Sequence, residues 1–306
     1  MKKFTIHNSQ FTIRTTLLIM NCALCIFISS CDKIEGPTRK TIAIDTTCHF
    51  ASDNSFPFKK VLVEEYTGHL CGNCPNAGVY LDDTLQSKFG DSLIIITVHA
   101  AFFAIPCPGG ACPGNQPTGA FKYDFTCTAG TDWYNFFGIS NNPEGMVDRI
   151  DFPTHTQVKV KSDWDPDVSN ELAKPATVRI KILNTYDVPI RKVKSCIESK
   201  FLTNANGNFN LQVVLTEDSV INWQEWYNHT PEYVPDYAHR HILRAALNTS
   251  FGVQIVTGAI SGNTALTNGY DLVLDPSWND AHCSIVAFVY NNDTKEVIQV
   301  EEATVR

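Results

Sequence analysis

Long apolar runs are scarce in this sequence. The one stretch that approaches a membrane span runs from Leu17 to Ile28, broken by Asn21, near the start of the 306-residue chain. A helical span needs roughly 20 apolar residues, so a multi-span membrane protein is excluded. Basic residues are also short, with 24 Lys and Arg against 32 Asp and Glu, a formal charge of −8. Nucleic-acid binding needs clustered Lys and Arg, and this balance argues against such a partner. Charged residues of both signs reach only 18%, while 43% of the chain is hydrophobic. That composition argues against disorder throughout. There is no Gly-x-Ser-x-Gly, no phosphate-binding glycine loop followed by Lys and no dinucleotide fingerprint. No cofactor is therefore expected.

What is present begins with an address. Lys2, Lys3 and Arg14 precede the apolar run, which has the length of a signal-peptide core. Ile28-Ser29-Ser30-Cys31 follows, an aliphatic residue, two small residues and a cysteine that together resemble a bacterial lipobox. The resemblance implies cleavage before Cys31, lipid on its sulfur and membrane attachment through that lipid. An ordinary signal peptide with an incidental cysteine is the plainer alternative. Without residues 1–30 the chain loses three basic and no acidic residues, giving a charge of −11. Eight thiols then remain besides Cys31: Cys48, Cys71, Cys74, Cys107, Cys112, Cys127, Cys196 and Cys283. An even number in an exported chain points to disulfides or redox chemistry.

Residues 31–57 are polar and read as a tether from the anchor to a first domain over 58–174. Val61-Leu62-Val63 starts a strand. Pro75 can open a helix, in which Ala77, Leu81, Leu85 and Phe89 recur every four residues before Gly90. Leu93 to Val98 is apolar on both faces, as in a covered parallel sheet. Residues 104–120 are rich in Pro and Gly and form no regular element. A short aromatic helix is expected over Asp132–Phe137, a strand over Gly145–Ile150, and a helix opened by Asp165-Pro166. After Lys174-Pro175 the pattern turns to period two, as in Val178-Arg179-Ile180-Lys181-Ile182. Further runs at Lys192–Phe201, Phe209–Thr216, Tyr270–Leu274, Ser284–Tyr290 and Glu296–Val300 suggest a β-sandwich over 175–306.

The informative segment runs from Val61 through Glu64-Glu65-Tyr66-Thr67-Gly68 to Cys71-Gly72-Asn73-Cys74-Pro75. A strand leads into a Cys-x-x-Cys that opens a helix. The helix N-terminus favours a thiolate at Cys71. Two intervening residues let the sulfurs bond. Packing shields Cys74, so an exposed Cys71 attacks and Cys74 resolves the mixed disulfide. A closed structural disulfide is the rival reading. A zinc site shared with Cys107 and Cys112 is the third, disfavoured by export to an oxidising compartment.

These residues resemble the thioredoxin superfamily. The resemblance implies a buried acid six residues before the first cysteine, which is Glu65. It also implies a cis-proline ahead of a later strand, which is Pro143, positioning substrate backbone. Protein thiols or disulfides would be the partners. The lipobox, the Glu64-to-Pro75 segment, Tyr237-Ala238-His239-Arg240-His241-Ile242-Leu243-Arg244-Ala245 and the Ile285–Tyr290 strand together are similar to the outer membrane protein 28 family. That similarity implies an α/β thioredoxin-like domain followed by an all-β immunoglobulin-like sandwich. It also implies a lipid-anchored place at the outer membrane or surface of a Gram-negative bacterium. A non-catalytic surface lipoprotein that binds a partner or envelope component through its β-domain is the alternative function.

The remaining cysteines give weaker expectations. Cys107 and Cys112 close a small loop, and the insertion that holds them leaves the sheet on the Cys71 side, where it could act as a lid or a second dithiol. Cys196 with Cys283 could staple the β-domain, leaving Cys48 with Cys127, although Cys196 shares its phase with Lys192, Lys194 and Glu198. Eight cysteines allow on the order of 100 pairings. His239 and His241 would share a face as a metal pair does, but a histidine pair in a polar network is the plainer reading. Glu64 and Glu65 point to opposite faces and form no glycosidase pair. Trp223, Trp226, Tyr227, Tyr233 and Tyr237 make an aromatic loop region read first as packing.

Overall fold

Strand β1 (Val61–Thr67) is buried along its whole length, which explains its aliphatic start. The computed structural model describes residues 48–51, 57–107, 116–152, 154 and 156–306. The leader, Cys31 and Cys112 lie outside the described residues.

Alternate residues of β1 enter two cores. Val61 and Val63 pack with Ala77, Leu81 and Leu85, whereas Leu62 and Tyr66 pack with Trp133 and Phe137. The helical run α1 starts as Pro75–Val79, continues with π winding over Tyr80–Gln86 and returns to α over Ser87–Phe89. Pro75 loses nothing in the first turn, where its missing N–H has no partner to bond. Gly90 ends the run at φ 55°, a left-handed value that favours glycine. Strand β2 (Leu93–His99) pairs parallel with β1, from Val61 opposite Leu93 to Thr67 opposite His99.

Helix α2 (Thr128–Phe137) starts earlier than the aromatic pattern suggests. Cys127 is its cap, the sulfur accepting from the Gly130 N–H at 3.4 Å. Strand β3 (Glu144–Val147) pairs antiparallel with β1, with Tyr66 opposite Glu144. Helix α3 (Lys161–Leu172) begins before Asp165, so Pro166 lies inside it. The early turn carries Trp164 onto Gly145, where a Cβ would sit 2.8 Å from the indole.

The second half is built of strands. These are β4 (Val178–Asp187), β5 (Lys192–Phe201), β6 (Ala205–Glu217), β7 (Val220–Glu225), β8 (Tyr233–His239) and β9 (Ile242–Ala246), then β10 (Val253–Ile260), β11 (Thr264–Val273), β12 (Cys283–Asn291) and β13 (Val297–Thr304). A three-stranded sheet, β11-β5-β4, covers one face of β6 and β12. Val193 and Ile197 meet Val213 and Ile285 in this core. The opposite faces, through Val214, Val286 and Phe288, pack on Trp133 of the first half.

One sheet holds strands from both sides of Lys174-Pro175. The order β13-β12-β6-β9-β2-β1-β3 runs through both halves, with β10 also on β6. The junction is narrow: Thr97 of β2 pairs parallel with Ile242 of β9, and the Thr97 N–H donates to the His241 carbonyl at 2.8 Å.

The disulfides correct two expected pairings. Cys48 bonds Cys196, their Cα atoms 5.8 Å apart, and Cys127 and Cys283 are free. The polar phase of Cys196 is the reason: it faces away from the core that Val193 and Ile197 fill. Cys283 faces inward and is buried among Ile285 and Ala287. Cys107 is disulfide-bonded. The Cys48–Cys196 bond spans a sequence separation of 148. Replacing both cysteines with serine should therefore lower stability by about 2–4 kcal/mol in urea unfolding, and an unchanged midpoint would count against the bond.

Candidate functional site

The end of β1 is held by tight backbone approaches. At Gly68 a Cβ would lie 2.3 Å from the Phe103 carbonyl oxygen, so only glycine lets the two loops meet. The Leu70 N–H donates to that oxygen at 2.9 Å. The Cys71 N–H then bonds the Gly68 carbonyl and the Cys74 N–H bonds the Cys71 carbonyl, closing two successive turns before α1. Cys71 and Cys74 form a disulfide with Cα atoms 5.4 Å apart. The peptide bond between Asn142 and Pro143 is cis. Pro143 immediately precedes β3, which the register sets level with the end of β1.

Cys71 is buried, at 3% exposed, beside Cys74 at 2%. This corrects the expectation of an exposed first sulfur. The cause is the hairpin of β7 and β8, which the sequence reading treats as aromatic packing. The Glu225 N–H donates to the His69 carbonyl at 2.9 Å and the Tyr227 N–H to the Gly72 carbonyl at 2.8 Å. Gln224 Nε2 donates to the Cys71 carbonyl at 3.1 Å, and Trp226 Nε1 to Asn76 Oδ1 at 3.1 Å. The Tyr227 ring lies against Gly72 where a side chain would otherwise project.

Glu65 sits on the other side of the disulfide, on the β1 face toward α1. It is 3% exposed, and its Oε1 has no hydrogen-bond partner among the described residues. Burial, reinforced by the nearby Asp82 charge, pushes its carboxyl up to about 8. Glu65 and Cys74 share a cavity of about 30 Å³ with Asp82, Tyr237, His99 and His241. That volume holds about one water. At its edge Asp82 lies 3.3 Å from His241 Nε2 and 3.6 Å from Arg240 Nε. Burial opposes protonation of His241, but the Asp82 hydrogen bond and charge outweigh it and raise its pKa.

The expected histidine pair separates. His241 turns to Asp82 at φ 51°, while His239 packs into an aromatic cluster with Phe125 and His99. Burial lowers His239 to about 3 and His69 to about 4, so both are neutral at pH 7. Among the described residues no group of three or more His, Cys, Asp or Glu is placed to hold a metal. The described ends of the Pro- and Gly-rich insertion do lie beside the site. Cys107 and Phe121 pack with Leu70, Trp223 and Tyr233.

Glu64 points away from the disulfide, as strand alternation requires. It takes two hydrogen bonds from Arg149, each 2.7 Å, with both side chains 1% exposed. This pair is not among the features expected from the sequence. The signal was available, because a carboxylate in a fully buried strand demands a buried cation.

A family model described as Outer membrane protein Omp28 matches residues 131–306, a span that begins after the two cysteines. No curated protein matches the sequence. Among solved structures, HBP35 of Porphyromonas gingivalis is similar with a TM-score of 0.59 at 14% identity, covering 83% of this chain and 77% of that one. A domain of the outer membrane lipoprotein Omp28 from the same organism is 24% identical over 43% of this chain and 89% of its own, with a TM-score of 0.29.

Proposed function

From the premise that the chain belongs to the Omp28 family of outer membrane proteins, we propose that it is a lipid-anchored thiol–disulfide oxidoreductase. Its first half is read as a thioredoxin-like domain and its second as an immunoglobulin-like sandwich, with the anchor on Cys31. Protein thiols and disulfides are the substrates.

The supporting observation is the unpartnered carboxyl oxygen of Glu65 in the cavity it shares with Cys74. A buried polar atom without a partner is costly, and beside a redox pair it has a use. At neutral pH Glu65 holds a proton. A substrate thiolate attacks the Cys71 sulfur, the Cys71–Cys74 bond breaks, and Cys74 leaves as a thiolate that takes this proton. The second substrate thiolate then attacks the substrate sulfur of the mixed disulfide and releases Cys71. Two electrons pass from the substrate dithiol to the protein, and the substrate gains a disulfide. The reverse sequence reduces a substrate disulfide.

Replacing Cys71 with serine should abolish exchange with a peptide dithiol or disulfide. The wild-type couple should have a potential between about −120 and −270 mV. Burial of both sulfurs favours a second reading, a non-catalytic surface protein with a structural disulfide. A potential below about −300 mV, with no exchange by wild type, would establish that one instead.

A further inference from the structure

We propose that Glu225–Tyr227 is a built-in cover seated where an extended stretch of substrate polypeptide pairs, and that substrate must displace it to reach Cys71. This rests on the oxidoreductase reading and adds the substrate form and its control.

The contacts have the character of strand addition. Two backbone N–H groups two residues apart, those of Glu225 and Tyr227, donate to the carbonyls of His69 and Gly72 on either side of Cys71. Backbone bonds of this kind accept any extended chain, whatever its side chains. Gly72 lets the cover close. A Cβ there would lie 2.3 Å from the Tyr227 ring.

Glu225 anchors the inner end of the cover in β7, and the outer end is held lightly. Tyr227 is 43% exposed, and Asn228, Thr230, Pro231 and Glu232 beyond it are exposed as well. One side-chain bond, Trp226 Nε1 to Asn76 Oδ1, ties it to α1. A segment with few buried apolar contacts opens without global unfolding. The rim suits an unfolded polypeptide. Phe102 and Ile105, both exposed, belong to the loop that Leu70 fastens beside the seat.

The test uses the full chain and two readouts. The first is the rate at which a water-soluble phosphine reduces Cys71–Cys74, followed by alkylation of Cys71. The second is exchange with an extended, apolar peptide dithiol. Tyr227→Ala should accelerate both by about tenfold. Trp226→Phe and Asn76→Ala should each give about a threefold gain, and the double variant no more than either alone. All three positions lie outside the cores, and an unchanged melting temperature checks that the fold is kept. Equal phosphine rates in wild type and variants, with exchange intact, overturn the cover and leave the oxidoreductase reading standing. Faster phosphine reduction with no exchange by any chain overturns the oxidoreductase reading and with it the substrate seat, leaving a cover on a structural disulfide.

Discussion

Glu64→Ala should destabilise the folded chain by about 3–5 kcal/mol, the largest loss of stability expected of any single change here. The reason lies in what it leaves behind. The Arg149 guanidinium carbon lies 4.7–5.4 Å from the ring centroids of Trp133, Phe137, Phe288 and Tyr290. Those rings offer their electron-rich faces but do not replace the two hydrogen bonds of the carboxylate. Without Glu64, a cation 1% exposed keeps its charge and loses its counter-ion. Removing both partners should recover most of the loss, because the double variant Glu64→Leu with Arg149→Met buries no charge. Urea unfolding of the two variants decides it. If the double variant is as unstable as Glu64→Ala, packing rather than charge accounts for the effect.

Glu65→Gln should do the opposite, and in a pH-dependent way. The carboxyl titrates at its ordinary 4.5 in the unfolded chain and at about 8 in the folded one. Between those values the native state binds a proton that the unfolded state has released. The stability associated with protonated Glu65 is complete below pH 4.5. It declines by about 1.4 kcal/mol per pH unit until the folded group ionises near pH 8. Glutamine has no such titration. The variant should therefore match wild type at acid pH, gain on it steadily through the window and hold a constant lead above pH 8. Parallel stability curves across that range would show that the Glu65 carboxyl is not desolvated.

Much of the first half was legible because its signals are local. Val61–Val63 and Leu93–Val98 are continuous aliphatic runs, and Ala77, Leu81 and Leu85 repeat at helical spacing, so β1, α1 and β2 follow from pattern alone. Alternation likewise exposes β4 and β5, while β12 is a continuous apolar run buried on both faces. The Cys71–Cys74 bond follows from spacing. The other elements depend on contacts far apart in sequence. Trp223-Gln224-Glu225-Trp226-Tyr227 has neither period, and its partners His69 and Gly72 are more than 150 residues away. Cys48 has no local feature that selects Cys196. Helix α2 starts early because a sulfur caps it, a role cysteine seldom advertises. The joining of the two halves through Thr97 and Ile242 leaves no mark in either segment.

The hairpin over the dithiol also imposes an order of events. Synthesis proceeds from the N-terminus, so Cys71 and Cys74 emerge well before residues 220–239 exist. Until those residues are in place, nothing from the hairpin covers either thiol. Only when the late strands arrive does the seat fill. The Cys71–Cys74 bond can thus close before the hairpin that buries it exists.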